Sequence, residues 1–220
     1  PDVFIQISVP NEFQKIGKYN IGITAGIETN AVPHEFIQGA NNMDLLITTS
    51  EHSKKGFDVI YDKVNEKTQQ KEGQLKLETP IEVLFEGADL NVYKKTNEIS
   101  AIVKEELSNI KDEFCYLFVG HWLKGDVGHD RKDIGMMIKT FCEAFKKKSN
   151  HNRPGLILKT SHAAFSIMDR DMMLQKIQQI IKPYGKNIPN IYLLHGDLTD
   201  DEMNSLYNHP KVKSMISFTK

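Results

Sequence analysis

The chain has 220 residues, 40% of them hydrophobic, with 28 Lys and Arg against 29 Asp and Glu for a formal net charge of -1. That length supports one large core or two small ones. The even charge balance argues against a general nucleic-acid or membrane-surface binder, and no apolar run approaches the roughly 18 residues of a membrane span.

Strand-like apolar runs occur at residues 3–8, 20–24, 45–48, 81–84, 116–119, 156–160, 191–195 and 214–218. Several are continuously apolar, as in strands buried on both faces of a parallel sheet. After the second run, GITAGIETNAVP carries Gly22 and Gly26, then Glu28 and Thr29, and ends at Pro33, which opens a helix. Glu28 is a candidate base or acceptor-hydroxyl contact with Thr29 beside it, or else an ordinary loop acid.

Ser50 stands as an N-cap ahead of Phe57, Ile60, Tyr61 and Val64, whose i, i+3, i+4, i+7 spacing predicts a helix. The charged, Gln-rich stretch 63–78 (KVNEKTQQKEGQLKLE) reads as the end of that helix and an exposed loop. A domain junction is expected near Lys94 to Ile99, before a helix ending around Ile110.

The apolar run Cys115 to Val119 stops at Gly120. A loop then leads to Arg131 and Lys132, just ahead of a helix marked by Ile134, Met137, Ile138, Phe141, Cys142 and Phe145. A strand, a glycine, a basic pair and a helix N-terminus together suit an anion, because free backbone N–H groups and the helix dipole favour negative charge there. On the functional reading, Gly120 admits a ligand while Arg131 and Lys132 take a diphosphate, Arg as a planar fork and Lys as a point charge. On the plain reading, Gly120 only turns the chain and the cations are solvated.

A helix from Met172 to Ile181 meets stop signals at Pro183 and Gly185. His195-Gly196-Asp197-Leu198 follows the next strand. Thr199 and Glu202 then form a capping-box pattern, with Leu198 and Met203 spaced as a hydrophobic staple. This turn either offers backbone groups to a nucleobase or is a generic strand–helix connection.

From residue 114 onward strands and helices alternate four and three, half of a doubly wound unit, with ligands expected at the carboxyl edge of the sheet. The fold class is therefore α/β. Cys115 and Cys142 read as small buried hydrophobes, which suits a reducing cytoplasm. His121, His129 and His162 lack helical i, i+4 spacing with a carboxylate, so no metal site is expected. Trp122 is a ligand-stacking ring or a loop anchor. The sequence has no GxGxxG after a strand, no GxxxxGK[ST] and no GxSxG, which weakens the case for dinucleotide dehydrogenases, P-loop NTPases and α/β-hydrolases.

Four segments in order resemble the group-1 (family-4-like) glycosyltransferases of the GT-B fold. MDLLITTSEHSKKGF carries Asp44, Ser50 and Phe57 of the family's N-domain strand–helix element. TPIEVLFEGADLNVYKK carries Glu86-Gly87-Ala88-Asp89 of its interdomain segment, with Phe85 where proline is usual. LFVGHWLKGDVGHDRKDIGMMIKTFCEAF carries Gly120, Lys132, Phe141 and Ala144-Phe145, with His121 for the usual Arg and Asp133 for the usual Gly. YLLHGDLTDDEMNSLYNHPKVKSMISFT carries Gly196, Glu202, Leu206 and Tyr207.

The resemblance implies two Rossmann-like lobes, each a mostly parallel sheet with helices on both faces and each possibly incomplete. Residues 1–95 belong to an acceptor-side lobe, 96–112 form an interdomain segment, and 113–220 begin a nucleotide-sugar-binding lobe. It also implies transfer of a sugar from a nucleotide-diphosphate sugar to a glycan, lipid or protein acceptor, with retention and without a metal or other cofactor. Gly120, Arg131 and Lys132 would take the diphosphate, and His195, Gly196, Asp197 and Leu198 the base.

The family's glycine-rich loop would precede Pro1, and its carboxylate element would follow Thr219-Lys220. The chain is therefore expected to be a portion of a longer transferase. The competing reading is a module that binds a nucleotide or nucleotide sugar without turnover.

Overall fold

The computed structural model describes residues 1–25, 27–64, 70–124, 127–148, 153–162 and 164–219; Gly26 of the second loop lies outside them. The chain divides into two compact units, Pro1–Ala88 and Asp89–Lys220.

The first unit runs β1 (Val3–Ile7), β2 (Tyr19–Ile23), α1 (His34–Ala40), β3 (Leu45–Thr48), α2 (Glu51–Gly56), β4 (Tyr61–Val64), β5 (Lys71–Leu75) and β6 (Ile81–Val83). Its main sheet has the order β1-β2-β3-β6, all parallel. Side chains alternate across a strand, and one face carries the buried Asn20, Gly22, Leu46 and Thr48. Leu46 belongs to the core with Phe13, Ile37, Ala40 and Phe57. On the other face Val3, Ile5 and Ile7 are exposed.

Asp44, one of the residues carrying the family resemblance, fastens this sheet. Its Oδ2 accepts from the Asn20 backbone N at 2.7 Å and from Asn20 Nδ2 at 3.0 Å. Those hydrogen bonds, the side-chain one foremost, hold its carboxyl below the usual carboxylate range.

The helix predicted through Phe57, Ile60, Tyr61 and Val64 is replaced by something else. Ser50 does cap a helix, accepting from Ser53 N at 3.1 Å, but α2 ends at Gly56 with Phe57 as its C-cap. Residues 61–64 then form β4, paired antiparallel with β5, and Lys71 bridges Asp62 at 2.6 Å. The helical stripe misled because Val59 and Tyr61 pack on the core while Ile60 and Val64 are exposed, which is strand alternation. The loop predicted over 63–78 is corrected in the same way, since 71–75 is a strand; residues 65–69 lie outside the described set.

The second unit runs α3 (Ala101–Glu106), β7 (Cys115–Val119), α4 (Ile134–Phe145), β8 (Gly155–Lys159), α5 (Ile167–Ile181), β9 (Ile191–Leu194), α6 (Asp200–Tyr207) and β10 (Val212–Met215). Its parallel sheet has the order β10-β7-β8-β9. Alternation sends Phe118, Leu156 and Leu158 into one core with Met137, Ile138, Phe141, Met173 and Ile177 of α4 and α5. It sends Cys115, Leu117 and Ile157 into a second core with Val103, Leu107 and Leu206. Helices thus cover both faces, and every residue of β8 is buried, as its unbroken apolar run requires.

The sequence puts the junction at Lys94 to Ile99, whereas the compact units divide at Ala88–Asp89. The intervening stretch is bonded to α6. Tyr93 OH donates to Asp200 at 2.8 Å, Lys94 N to Asn204 at 3.2 Å, and Ser100 N to Ser205 at 3.1 Å.

Helix α5 begins five residues before the predicted Met172. Its first turn holds exposed Ile167 and Met168, so apolar period alone could not find the start. Ser166, which accepts from Asp169 N at 3.1 Å, fixes that start.

Candidate functional site

The chain moves outward from β7 through β8 to β9, and α6 then returns it to the far side of β7. That reversal is a topological switch point, where open parallel sheets hold ligands beyond the carboxyl ends of their strands. A cavity of about 210 Å³ opens at that edge beyond β7, β8 and β9, lined by Gly120, His121, Lys159, Ser161, Phe165 and Asp197 among others.

Beyond β7 the ladder continues into the loops: Gly120 N donates to Lys159 O at 3.1 Å and Trp122 N to Ser161 O at 2.8 Å. Gly120 has φ 157; a Cβ there would lie 3.0 Å from the Phe118 ring and 3.8 Å from Lys132 Cε. The Phe118 ring is what a side chain there would strike, while the Lys132 stem lies at ordinary contact distance. Lys132 is held by its own turn, since its backbone N donates to Asp130 Oδ1 at 2.9 Å. Asp133, at φ 48 and ψ 38, then swings the chain into α4. Arg131 is exposed. His121 Nδ1 lies 3.1 Å from Ser161 Oγ. Trp122 is buried beneath the Lys176 ammonium, 5.1 Å from its ring centre, and acts as a loop anchor.

Strand β8 ends on Lys159, only 9% exposed. Its Nζ donates to Gly196 O and lies 5.0 Å from the centre of the Phe165 ring. Burial pulls its pKa below the usual lysine value, and the Asp197 carboxylate opposes that shift.

Beyond β9, the His195 ring turns inward. Nε2 lies 2.8 Å from Asp169 Oδ2, the two side chains being 4% and 6% exposed. Asp169 also accepts from His162 N at 3.1 and 3.2 Å, so one carboxylate ties the loops after β8 and β9 together. Gly196, at φ 145, turns the chain where a side chain would be strained. The capping box is formed in full: Thr199 N donates to Glu202 at 2.8 Å and Glu202 N to Thr199 at 3.3 Å.

The residues read from the sequence therefore fall into three sets. Gly120, Asp197 and Leu198 line one pocket, Lys132 stands against Gly120, and Gly196 receives the Lys159 ammonium. The His195 side chain is spent on Asp169, and His195, Arg131 and Lys132 all lie outside the pocket lining. Glu28 and Thr29 belong to the first unit and are exposed, Thr29 Oγ1 donating to Ala31 O at 2.8 Å.

Sequence reasoning missed Lys159, Ser161, Phe165 and Asp169. The signal for Lys159 was available: a charge closing the wholly apolar run GLIL cannot stay dry without a partner. Among the described residues no group of three or more His, Cys, Asp or Glu is arranged to hold a metal, and no helix is long and apolar enough to cross a membrane.

The two units and their parallel sheets are Rossmann-like α/β lobes of the GT-B type, the fold shared with solved structures of about twice this length. The chain is similar to the E. coli trehalose-6-phosphate structure bound with UDP-2-fluoro glucose, at 12% identity over 87% of this chain and 51% of that one, TM-score 0.50. It is similar to the apo structure of OtsA at 13% identity, with the same coverage and TM-score 0.50. A further OtsA structure, of trehalose-6-phosphate synthase, has 14% identity over 86% of this chain and 44% of that one, TM-score 0.49. The chain thus spans about half the length of the structures it matches, 51% for the first two. No family model and no curated protein sequence matches it.

Proposed function

We propose that the chain belongs to a glycosyltransferase that moves a sugar from a nucleotide-diphosphate sugar to a glycan, lipid or protein acceptor, with retention and without a metal. The pocket beyond β7 and β8 carries this reading: Gly120 lines it with the Lys132 stem close by, and Lys159 is buried within it. Departure of a nucleoside diphosphate builds negative charge, and cations already fixed in place stabilise it without reorganising. Lys132, with Arg131 beside it in sequence, takes the diphosphate, while the backbone of His195 to Leu198 takes the base. The four family-4-like segments support the same assignment, and a neighbour that holds UDP-2-fluoro glucose makes UDP the first nucleotide to try.

Thermal shift with UDP, GDP, ADP and their sugar conjugates tests the reading. A nucleotide at 100 times its Kd adds about 2.7 kcal/mol of stability. No shift at millimolar concentration with any of them would remove the nucleotide assignment. Binding without hydrolysis or transfer of the sugar would instead leave a non-catalytic binding module. Lys132→Ala should weaken the diphosphates far more than the free nucleosides; equal losses would exclude its diphosphate role.

A further inference from the structure

We infer that Lys159 contacts the anionic group of the bound ligand directly and, through Gly196, links that contact to the turn that receives the base. This rests on the nucleotide-diphosphate reading and deepens it by assigning the diphosphate a second cation, on a different strand from the loop that carries Lys132.

An ammonium group has three donors, and one is spent on the Gly196 carbonyl. The Phe165 ring offers its face at 5.0 Å, an attraction that does not replace a counter-ion. Among the described residues Lys159 forms no salt bridge, although it is only 9% exposed. Asp197 is felt at longer range but is itself exposed.

A buried cation without a hydrogen-bonded partner charge is costly, and the cost falls when an anion enters. Burial already pulls the Lys159 pKa down, disfavouring the charged form that a phosphate would favour. The cavity it lines, about 210 Å³, is smaller than the roughly 300–1,000 Å³ of a complete small-molecule site. It therefore suits part of a ligand, and its cation selects the diphosphate part.

The Gly196 bond adds a consequence. Lys159 holds the carbonyl of the His195-Gly196-Asp197-Leu198 turn, so an anion that orders its ammonium also orders that turn. Diphosphate and base are then recognised together, and the whole nucleotide should bind more tightly than the separate affinities of its parts predict.

The test compares wild type with Lys159→Met, measuring calorimetric affinity for UDP, uridine and inorganic pyrophosphate. Lys159→Met should lose tenfold or more in affinity for UDP and pyrophosphate and less than twofold for uridine. If it binds UDP and pyrophosphate as wild type does, the inference falls while the nucleotide reading stands. Equal losses for UDP and uridine would reduce Lys159 to a prop for the turn and overturn the direct contact. If wild type binds pyrophosphate but none of UDP, GDP and ADP, and Lys159→Met loses pyrophosphate, the anion contact holds and the nucleotide reading falls. No binding of any probe by wild type overturns both.

Should Lys159→Met fail to fold, wild type labelled with 15N-lysine decides the matter. Its Lys159 Nζ signal, identified by its absence in Lys159→Arg, must move on addition of pyrophosphate. An unmoved signal overturns the contact.

Discussion

Cys115 and Cys142 show how burial alone sets the chemistry of a side chain. Both are fully buried in the second unit, one in each of its cores. Burial pushes both thiols up to about 11, with Asp112 reinforcing the effect at Cys115 and Glu143 at Cys142. The unfolded chain's thiols titrate near 8.5. Between those values the unfolded state has lost protons that the folded state keeps, so stability falls as pH rises through that window. Below it the two states are protonated alike and the thiols contribute no slope. Replacing both by Ala should flatten the loss measured by urea unfolding between pH 8 and pH 10.5. An unchanged slope would assign that loss to other groups. In native protein both thiols should resist alkylation and react once urea is added.

At the scale of the element, the first unit's sheet presents two unequal faces. Leu46 is fully buried in the core while Ile7, on the edge strand and the opposite face, is 76% exposed. Leu46→Ala should therefore cost about 2–5 kcal/mol, the usual penalty for emptying a packed site. Ile7→Ser should change the stability of this chain by no more than about 0.5 kcal/mol. Denaturant unfolding of the two variants checks this, and a large loss from Ile7→Ser would mean that its face is covered in solution. Exposure also explains the misread helix in this unit. The sequence shows where apolar side chains recur, but the Ile60 and Val64 that completed the helical stripe are exposed, while Val59 and Tyr61 pack on the core.

For the whole molecule, a nucleotide should slow backbone hydrogen exchange at residues 120–122, 159–162 and 195–198, the loops that share the second unit's pocket and its Asp169 fastening. Protection spread evenly over the chain, or absent from these segments, would place the ligand elsewhere.

Most elements of the second unit were legible in the sequence. Unbroken apolar runs marked β7, β8 and β9, the Ile134 to Phe145 stripe marked α4, and Thr199 with Glu202 marked the start of α6, while the last strand, read at 214–218, runs Val212–Met215. Each of these signals is local, arising from side-chain period or from a cap bonding its own helix. The glycine at the end of β7 and the lysine set against it were also visible, because an approach between residues twelve apart still leaves a motif.

Phe165 and Asp169 left no such trace, and the charge that closes GLIL marked Lys159 without showing what it meets. Their roles come from contacts across loops: an ammonium of β8 on a carbonyl beyond β9, and a carboxylate of α5 on a histidine 26 residues away. The sequence by itself determined an α/β chain of parallel strands with an anion-suited corner. Tertiary structure alone decided which cation is buried there without a counter-ion, because desolvation depends on everything packed around a group and not on its neighbours along the chain.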